Sequence, residues 1–431
     1  MSELDKLLRE LCPDGVEYKK LGEIATISRG GNFQKKDFLT EGVPCIHYGQ
    51  IYTKYGLFTD KTFTFISEEC AKKQKRAQPN DIVMAVTSEN IEDVCKCLAW
   101  LGDEPVAVSG HSAIIHHDQN AKYLVYYFHS QMFFAQKRKL AHGTKVIEVT
   151  PDALVDITLP IPPAEIQCEI VRILDNFTNL TAELTAELTA RKMQYSYYRE
   201  NLLSFNMPVS KKKIGEITRV FSAARVHKNE WMQEGVPFYR SSDVISKFNG
   251  VENSRGKAYI SFDLYKRLSA KSGKIMKDDI LITGGGTIGI PYVVPSDEPI
   301  YVKDADLLCI QKSKEFNSRF LYHYFLSTEF RKYLENITHN ATIAHYTISQ
   351  IENTPVPLPP LDVQNRIVNV LDNFEKICSD LNIGLPAEIE ARQKQYEYYR
   401  DKLLTFAETG NTILSRAEQS RAEQSRAEQS R

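Results

Sequence analysis

The sequence predicts an α+β chain built as two similar globular domains separated by two long, antiparallel coiled-coil helices, with an internal pseudo-twofold repeat. Three observations carry this. First, one segment occurs twice: PIPPAEIQCEIVRILDNF at 160–177 and PLPPLDVQNRIVNVLDNF at 357–374, followed by QYSYYRENLLSF at 194–205 and QYEYYRDKLLTF at 395–406. Second, the stretch before each copy mixes short strand-like apolar runs with an aromatic helix. Third, each copy steps its apolar residues by 4, 3, 4, 3, 4, a coiled-coil seam. A repeat spaced by roughly 200 residues is not a solenoid, whose units span about 20–50 residues. It marks two half-proteins.

Residues 1–15 open the chain. Leu4, Leu7, Leu8 and Leu11 form one face of a short helix, Ser2 and Asp5 can cap it, and Cys12-Pro13-Asp14-Gly15 should end it. Residues 16–159 form the first domain. DIVMAV (81–86) and SAIIHH (112–117) read as strands, and 122–140 reads as one helix with a large aromatic face. Prolines 160, 162 and 163 stop it, because proline cannot donate to a ladder and restricts the residue before it.

Residues 160–207 are the first helical spacer. Its seam is Ile166, Ile170, Ile173, Phe177, Leu180 and Leu184. TAELTAELTA (181–190) repeats a four-residue unit, which slips the seam by about 40° per unit, a stutter. Residues 208–356 repeat the domain plan, with 316–334 as the matching helix. Residues 357–406 repeat the spacer through Val363, Ile367, Val370, Phe374, Ile377 and Leu381, but Gly384 and Pro386 in NIGLP should break it. Residues 407–431 end in SRAEQSRAEQSRAEQSR, polar and of low complexity, hence read as disordered.

Composition narrows the function. With 431 residues and a net charge of -1, the whole chain is no polycation. Nucleic-acid contact would need local clusters such as Lys72, Lys73, Lys75 and Arg76 or Lys211, Lys212 and Lys213, and such runs are often only solvated faces. Eight cysteines form no CxxC pair, which suits a reducing cytoplasm. Cys95 and Cys97 read as lying on one side of a strand. The N-terminus is charged throughout and no signal peptide is read there. No apolar run reaches the roughly 18 residues of a membrane span.

Catalytic chemistry is not legible. The Pro-Pro pairs, IPPA and LPPL, are not the Asp/Asn-Pro-Pro-aromatic motif of an amino-methyltransferase. GGGTIGI (284–290) has no P-loop lysine and reads as a turn or close-approach loop. His111, His116 and His117 sit at strand spacing without further ligands in view. We expect no catalytic residue, cofactor site or metal site.

What remains is a framework shared by both halves, with divergent middles. LGEI (21–24) answers IGEI (214–217), EGVP (41–44) answers EGVP (234–237), and PNDIV (79–83) answers KDDIL (277–281). Loop drift after duplication is the bland explanation. The sharper one is two copies of a scaffold with different specificities, because the divergent loops carry side chains suited to base edges and phosphates. In the first domain these candidates are Arg29, Asn32, Lys35, Lys36, Tyr48, Gln50, Tyr52, Lys54, His142, Thr144 and Lys145. In the second they are Arg225, Lys228, Arg240, Ser241, Ser242, Thr283, Thr287, His339, Asn340 and Thr342.

With these segments in view, residues 1–406 resemble the specificity subunit of a type I restriction–modification enzyme, in the subgroup with TAEL repeats in the central helix. The paired PxPPxxxQxxIVxxLDxF and QYxYYRxxLLxF segments, the LGEI-type starts and the TAEL repeat carry the resemblance. It implies that the two globular domains are target-recognition domains, each reading half of a bipartite site in double-stranded DNA. It implies helices that set the gap and dock two methylation subunits, joined by restriction–translocation subunits. S-adenosylmethionine, ATP and magnesium would belong to those partners. A bacterial or archaeal cytoplasm is implied. The alternative is a free-standing bipartite DNA-binding regulator, which adjacent methyltransferase and helicase-nuclease genes would disfavour. The SRAEQ tail departs from the family pattern.

That tail has a reading in the genetic code. Three tandem AGCAG units translate as Ser-Arg-Ala-Glu-Gln, so the gene is expected to end in a pentanucleotide tract whose slippage changes the frame after both repeats. Sequencing the gene from several clones should show uninterrupted AGCAG units. Synonymous codons that break the tract would defeat the idea.

Overall fold

The structure is a computed structural model that describes residues 2–205, 209–251, 253–338, 345–380 and 383–406. The chain divides into two compact units, and the first is discontinuous: Met1–Ala182 joins Ala391–Arg431, while Glu183–Glu390 forms the second. The tail beyond 406, the seam residue Leu381 and the candidates His339, Asn340 and Thr342 lie outside the described residues.

The first unit begins with the helix Glu3–Leu11. Ser2 Oγ accepts the Asp5 amide at 3.1 Å, and the Asp5 carboxylate accepts the Ser2 amide at 3.2 Å, a reciprocal cap. Two sheets follow. The larger has the order Ala25–Arg29, Ser112–His117, Ile82–Ala85, Cys97–Trp100, Phe58–Thr59. It is antiparallel except for its last pair. The smaller has the order Thr64–Ile66, Val43–Ile46, Val106–Val108, Arg76–Ala77, with a parallel pair at its centre.

Ile82–Ala85 and Cys97–Trp100 are buried at every position because both faces are covered. Ile82, Met84, Cys97 and Ala99 face the core that holds the aromatic helix. Val83, Ala85, Leu98 and Trp100 face a second core with Ile46 and Val108. Cys95 does not share the strand of Cys97: it sits at φ 67° in the preceding turn, although both thiols are buried.

The aromatic stretch is two helices rather than one, Ala121–Phe128 and Gln131–Leu140. Ser130 caps the second by accepting the Phe133 amide, so the break is a new N-terminus inside an unbroken apolar face. The second unit repeats this with Ser318–Phe325 and Thr328–Thr338.

The second unit also repeats the sheets. Val220–Ser222, Leu307–Ile310, Ile280–Thr283 and Pro291–Val293 form one. Tyr259–Ile260, Val236–Tyr239 and Tyr301–Val302 form the other, which also has one parallel pair, Val236–Tyr239 with Tyr301–Val302. A two-strand clasp closes each domain: Tyr18–Lys20 with Thr158–Pro160, and Lys211–Lys213 with Pro355–Pro357.

The repeated segment anchors each domain with the same bonds. Gln167 Oε1 accepts the Asn120 amide at 3.1 Å, and Gln364 Oε1 accepts the Asn317 amide at 2.8 Å. Asp175 receives Lys122 and the Tyr126 hydroxyl; Asp372 receives Arg319 and His323. The 40-residue helix Ala164–Leu203 extends about 60 Å at about 1.5 Å per residue. It serves the first unit up to residue 182 and the second from residue 183.

The second half of each repeat crosses over. In the first unit Phe177 stacks on Tyr399 with centroids 5.4 Å apart, and the Gln131 amide is capped by Asp401. In the second, Phe374 stacks on Tyr198 at 5.2 Å, and the Thr328 amide is capped by Glu200. Each unit therefore pairs the start of one copy with the end of the other, as antiparallel copies require. The second copy is interrupted as the glycine and proline foretold, into Leu361–Ser379 and Leu385–Thr405. A side chain at Gly384 would lie 2.6 Å from the carbonyls of Lys376 and Asp380.

Burial revises the predicted seam. Ile166, Ile170 and Leu174 are fully buried against the first core, and Ile367, Val368 and Leu371 are buried against the second. Ile166, Ile170 and Ile367 are thus covered by the chain itself and cannot dock a partner. Ile173, Phe177, Leu184, Val363 and Phe374 are half-buried, while Leu180, Val370 and Ile377 are exposed.

Asp372 offers a test of the anchor. Burial raises its carboxyl, but hydrogen bonds from His323 and Arg319 and the Arg319 charge outweigh this and bring it down to about 2. The folded value lies below the unfolded one, so the ionised group stabilises the fold above about pH 4. That contribution, about 1–2 kcal/mol after solvent screening, is lost as the pH falls towards 2. Thermal melts between pH 2 and 7 should show this acid limb, and D372N should lower stability at neutral pH and flatten it.

Candidate nucleic-acid interface

In the first unit the candidate loops meet at one turn, Ser109–Gly110–His111. Tyr48 N donates to Ser109 Oγ at 2.9 Å, and the Tyr48 ring lies 4.8 Å from that of His111. Gly31 N donates to the Val108 carbonyl, and Val86 N to the His111 carbonyl. Thr87–Ser88 then pairs with Ile147–Glu148, which holds the 141–148 hairpin, and Glu148 pairs with Arg29. Three stretches far apart in sequence (28–36, 47–54 and 141–148) thereby share a rim. Gly30 serves this assembly directly: a side chain there would sit 2.3 Å from the Ser109 carbonyl.

The second unit builds the same rim around the turn 304–306. Ala305 N donates to Ser222 Oγ at 3.0 Å, Ser241 Oγ to the Asp306 carbonyl at 2.7 Å, and Gly284 N to the Asp306 carbonyl at 2.8 Å. Tyr346 N closes on the Gly284 carbonyl. The glycine loop is a close-approach turn, since a side chain at Gly284 would lie 2.8 Å from the Ala305 carbonyl.

Within these rims the candidates divide by burial. Asn32, Lys35, Lys36, Lys54, His142, Thr144 and Lys145 are exposed in the first unit, as are Arg225, Lys228 and Thr287 in the second. Tyr48, Tyr52 and Ser242 are half-buried, and Tyr52 donates to the Thr87 carbonyl at 2.8 Å. Four candidates are framework and cannot reach a base. Gln50 caps its helix by accepting from His47 N and Thr64 Oγ1. Arg240 makes a two-pronged pair with Asp243, donates to the Gly256 carbonyl and lies over Trp231. Ser241 holds the hub turn, and Thr283 binds the Thr287 carbonyl and the Ile290 amide.

His111 was read only as a poor metal candidate. It is exposed at the centre of the first rim, with Nδ1 3.1 Å from Thr87 Oγ1. Its place in a three-residue turn between strands leaves no periodic signal. The lysine run 211–213 is not part of either rim: Lys211 pairs with Glu329, Lys212 with Glu315, and Lys213 bonds Asn353.

Among the described residues one group could hold a metal by geometry: ligand atoms of His323, Asp372 and Glu375 lie within 4.8 Å of one another. Arg319 already bonds both carboxylates and Tyr322 donates to Glu375, so the cluster is the domain anchor and not an open cation site. No described helix is long and apolar enough to cross a membrane.

The type I restriction modification DNA specificity domain model matches the chain twice, at residues 13–191 and 206–391. A putative type I restriction enzyme specificity subunit of Haemophilus influenzae is 30% identical over 418 residues, spanning 94% of this chain and 98% of that protein. A type I restriction enzyme specificity subunit of Escherichia coli is 29% identical, over 94% and 97%. Among solved structures, the S subunit of a type I restriction–modification system from M. genitalium aligns with a TM-score of 0.52 at 13% identity, covering 90% of this chain and 96% of that one. A chain from a study of type I complex assembly and conformational transition aligns at 0.58 with 16% identity, covering 91% and 98%. At such identities these two speak for the fold.

The framework assignment is testable by stability. Arg240→Ala should destabilise the fold by about 2–3 kcal/mol, because it leaves Asp243 and the Gly256 carbonyl unpaired. Arg225→Ala, at an exposed position, should stay within about 0.5 kcal/mol. Thermal melts of the two variants make the comparison.

Proposed function

This chain belongs to the type I restriction–modification DNA specificity family, and from that premise we propose that each globular unit reads one half of a bipartite duplex site through its own rim. The observation that carries this is the recurrence of one hub turn, with one set of surrounding elements, under loops whose exposed side chains differ between the halves. Hydrogen-bonding groups and cations at such a rim suit base edges and phosphates respectively. As a specificity subunit the chain contributes recognition, and the chemistry resides in partner subunits.

In the proposed assembly two methylation subunits dock on the helices, where Leu180, Val370 and Ile377 present apolar side chains. Restriction–translocation subunits complete the complex. S-adenosylmethionine, ATP and magnesium act in those partners, in the cytoplasm of the host. The helical segment sets the gap between the two half-sites. The tandem TAEL units at 181–188 span the passage from the first unit to the second, and their outer positions are exposed.

One further TAEL unit adds about 6 Å and about 40° of helix. Two base pairs add about 7 Å, at about 35° of rotation each. Single-molecule methylome sequencing of the host with and without the gene should reveal one bipartite motif that depends on it. A variant with three TAEL units should methylate the same half-sites with a gap longer by one or two base pairs. An unaltered gap would sink the ruler.

A further inference from the structure

We propose that the segment following the outer strand of the smaller sheet in each unit is a phosphate clamp, formed by Lys72, Lys73 and Arg76 in the first unit and by Lys266, Arg267 and Lys274 in the second. The inference rests on the DNA-recognition reading above and assigns a separate task within it.

The two segments are structural equivalents. Thr64–Ile66 leads to a helix at Glu68–Ala71 capped by Ser67; Tyr259–Ile260 leads to a helix at Phe262–Ser272 capped by Ser261. Counted from these caps, Lys72 and Lys73 answer Lys266 and Arg267. Counted back from the next matched turn, where Asn80 and Asp278 both take positive φ, Arg76 answers Lys274. The helices differ in length and share almost no sequence, yet three cations recur at matched positions.

All six side chains are exposed. In the first unit none of the three has an ion-pair partner among the described residues. In the second, only Arg267 has one, a 3.7 Å contact to Glu230 with the guanidinium still 72% exposed. The lysines at 211–213 show the contrast, since two of them are spent on carboxylates of the fold. The acids Glu68, Glu69 and Asp263 occupy the first helical turns, where they complement the helix dipole.

Each clamp also lies against the first loop of its rim. A side chain at Gly31 would come within 3.0 Å of Gln74 Cα, and the Lys75 carbonyl accepts the Val108 amide beside the hub turn. In the second unit the Arg267–Glu230 contact ties the helix to the 224–230 loop, and Tyr265 packs on Tyr301, whose hydroxyl donates to the Ala224 carbonyl. Phosphate contacts fix register and carry no sequence information. Two domains whose loops have diverged to read different bases would still need the same grip on the backbone, and retained cations among divergent residues are what that predicts.

The test uses the full specificity subunit assembled with its methylation subunits, and DNA carrying the methylated motif. Affinity is measured against salt for wild type, K72Q/K73Q/R76Q and K266Q/R267Q/K274Q. Each lost phosphate contact lowers the slope of log affinity against log salt by about 0.9, so each triple variant should lose about 2–3 and the combined variant about 5. The methylated motif should be unchanged for all three, and melting temperatures should match wild type. An unchanged slope overturns the clamp, and so does an altered motif, which would make these residues base readers. Wild-type complex that prefers no bipartite site would instead sink the functional reading itself.

Discussion

A buried amide with no water to turn to fixes how each globular domain meets its helix. Gln167 and Gln364 are buried, and every bond they make inside is to a group that must also be satisfied. Each accepts the first amide of an aromatic helix cap and donates to a carbonyl of its own proline turn, Pro162 or Pro359, at 2.8 Å. A one-residue slip would leave several buried polar groups unpaired, at a cost of about 1–3 kcal/mol each. Asp175 and Asp372, two turns on, repeat the constraint with charge. The rims, the hub turns and the clasps are placed by this docking.

Around that anchor the two units are assembled from exchanged parts. The start of each repeat holds its own domain; the end of each repeat caps the helix and covers the aromatic face of the other domain. The identity of LDNF and of QYxYYR between copies therefore has a packing reason. Phe177 needs Tyr399 and Phe374 needs Tyr198, and each partner lies in the opposite copy. The anchors are alike in geometry but not in chemistry: Lys122 and Tyr126 become Arg319 and His323.

The duplication, the capped first helix and the broken second spacer were legible in the sequence, because each depends on local signals such as repeats, proline, glycine and capping residues. The split of the aromatic helix was not, although Ser130 accepts the Phe133 amide and Ser327 the Phe330 amide at the two breaks; an unbroken apolar face hides a change of axis. The seam was legible in type and wrong in detail, because Leu174 and Leu371 replace Ile173 and Val370 as the buried positions once a globular domain takes up that side of the helix. Among the candidate readers, Gln50, Arg240, Ser241 and Thr283 failed for one reason. A side chain that can bond a base edge can equally cap a helix or tie a loop, and only burial separates the uses. The cations at 266, 267 and 274 form no run, because two lie in a helix and the third follows its end.

The discontinuity of the first unit has a consequence for how the protein comes off the ribosome. Residues 391–405 supply Tyr396, Leu403 and Leu404 to the core that begins with Leu4. At about 5–20 residues per second, the roughly 200 residues between Ala182 and Ala391 take about 10–40 s to synthesise. Throughout that interval the earliest-made domain keeps an apolar flank open, whereas the later one is complete as soon as its own stretch has been made. The first to be translated is the last to close, and a nascent chain stalled late in the message is left with its oldest surface sticky.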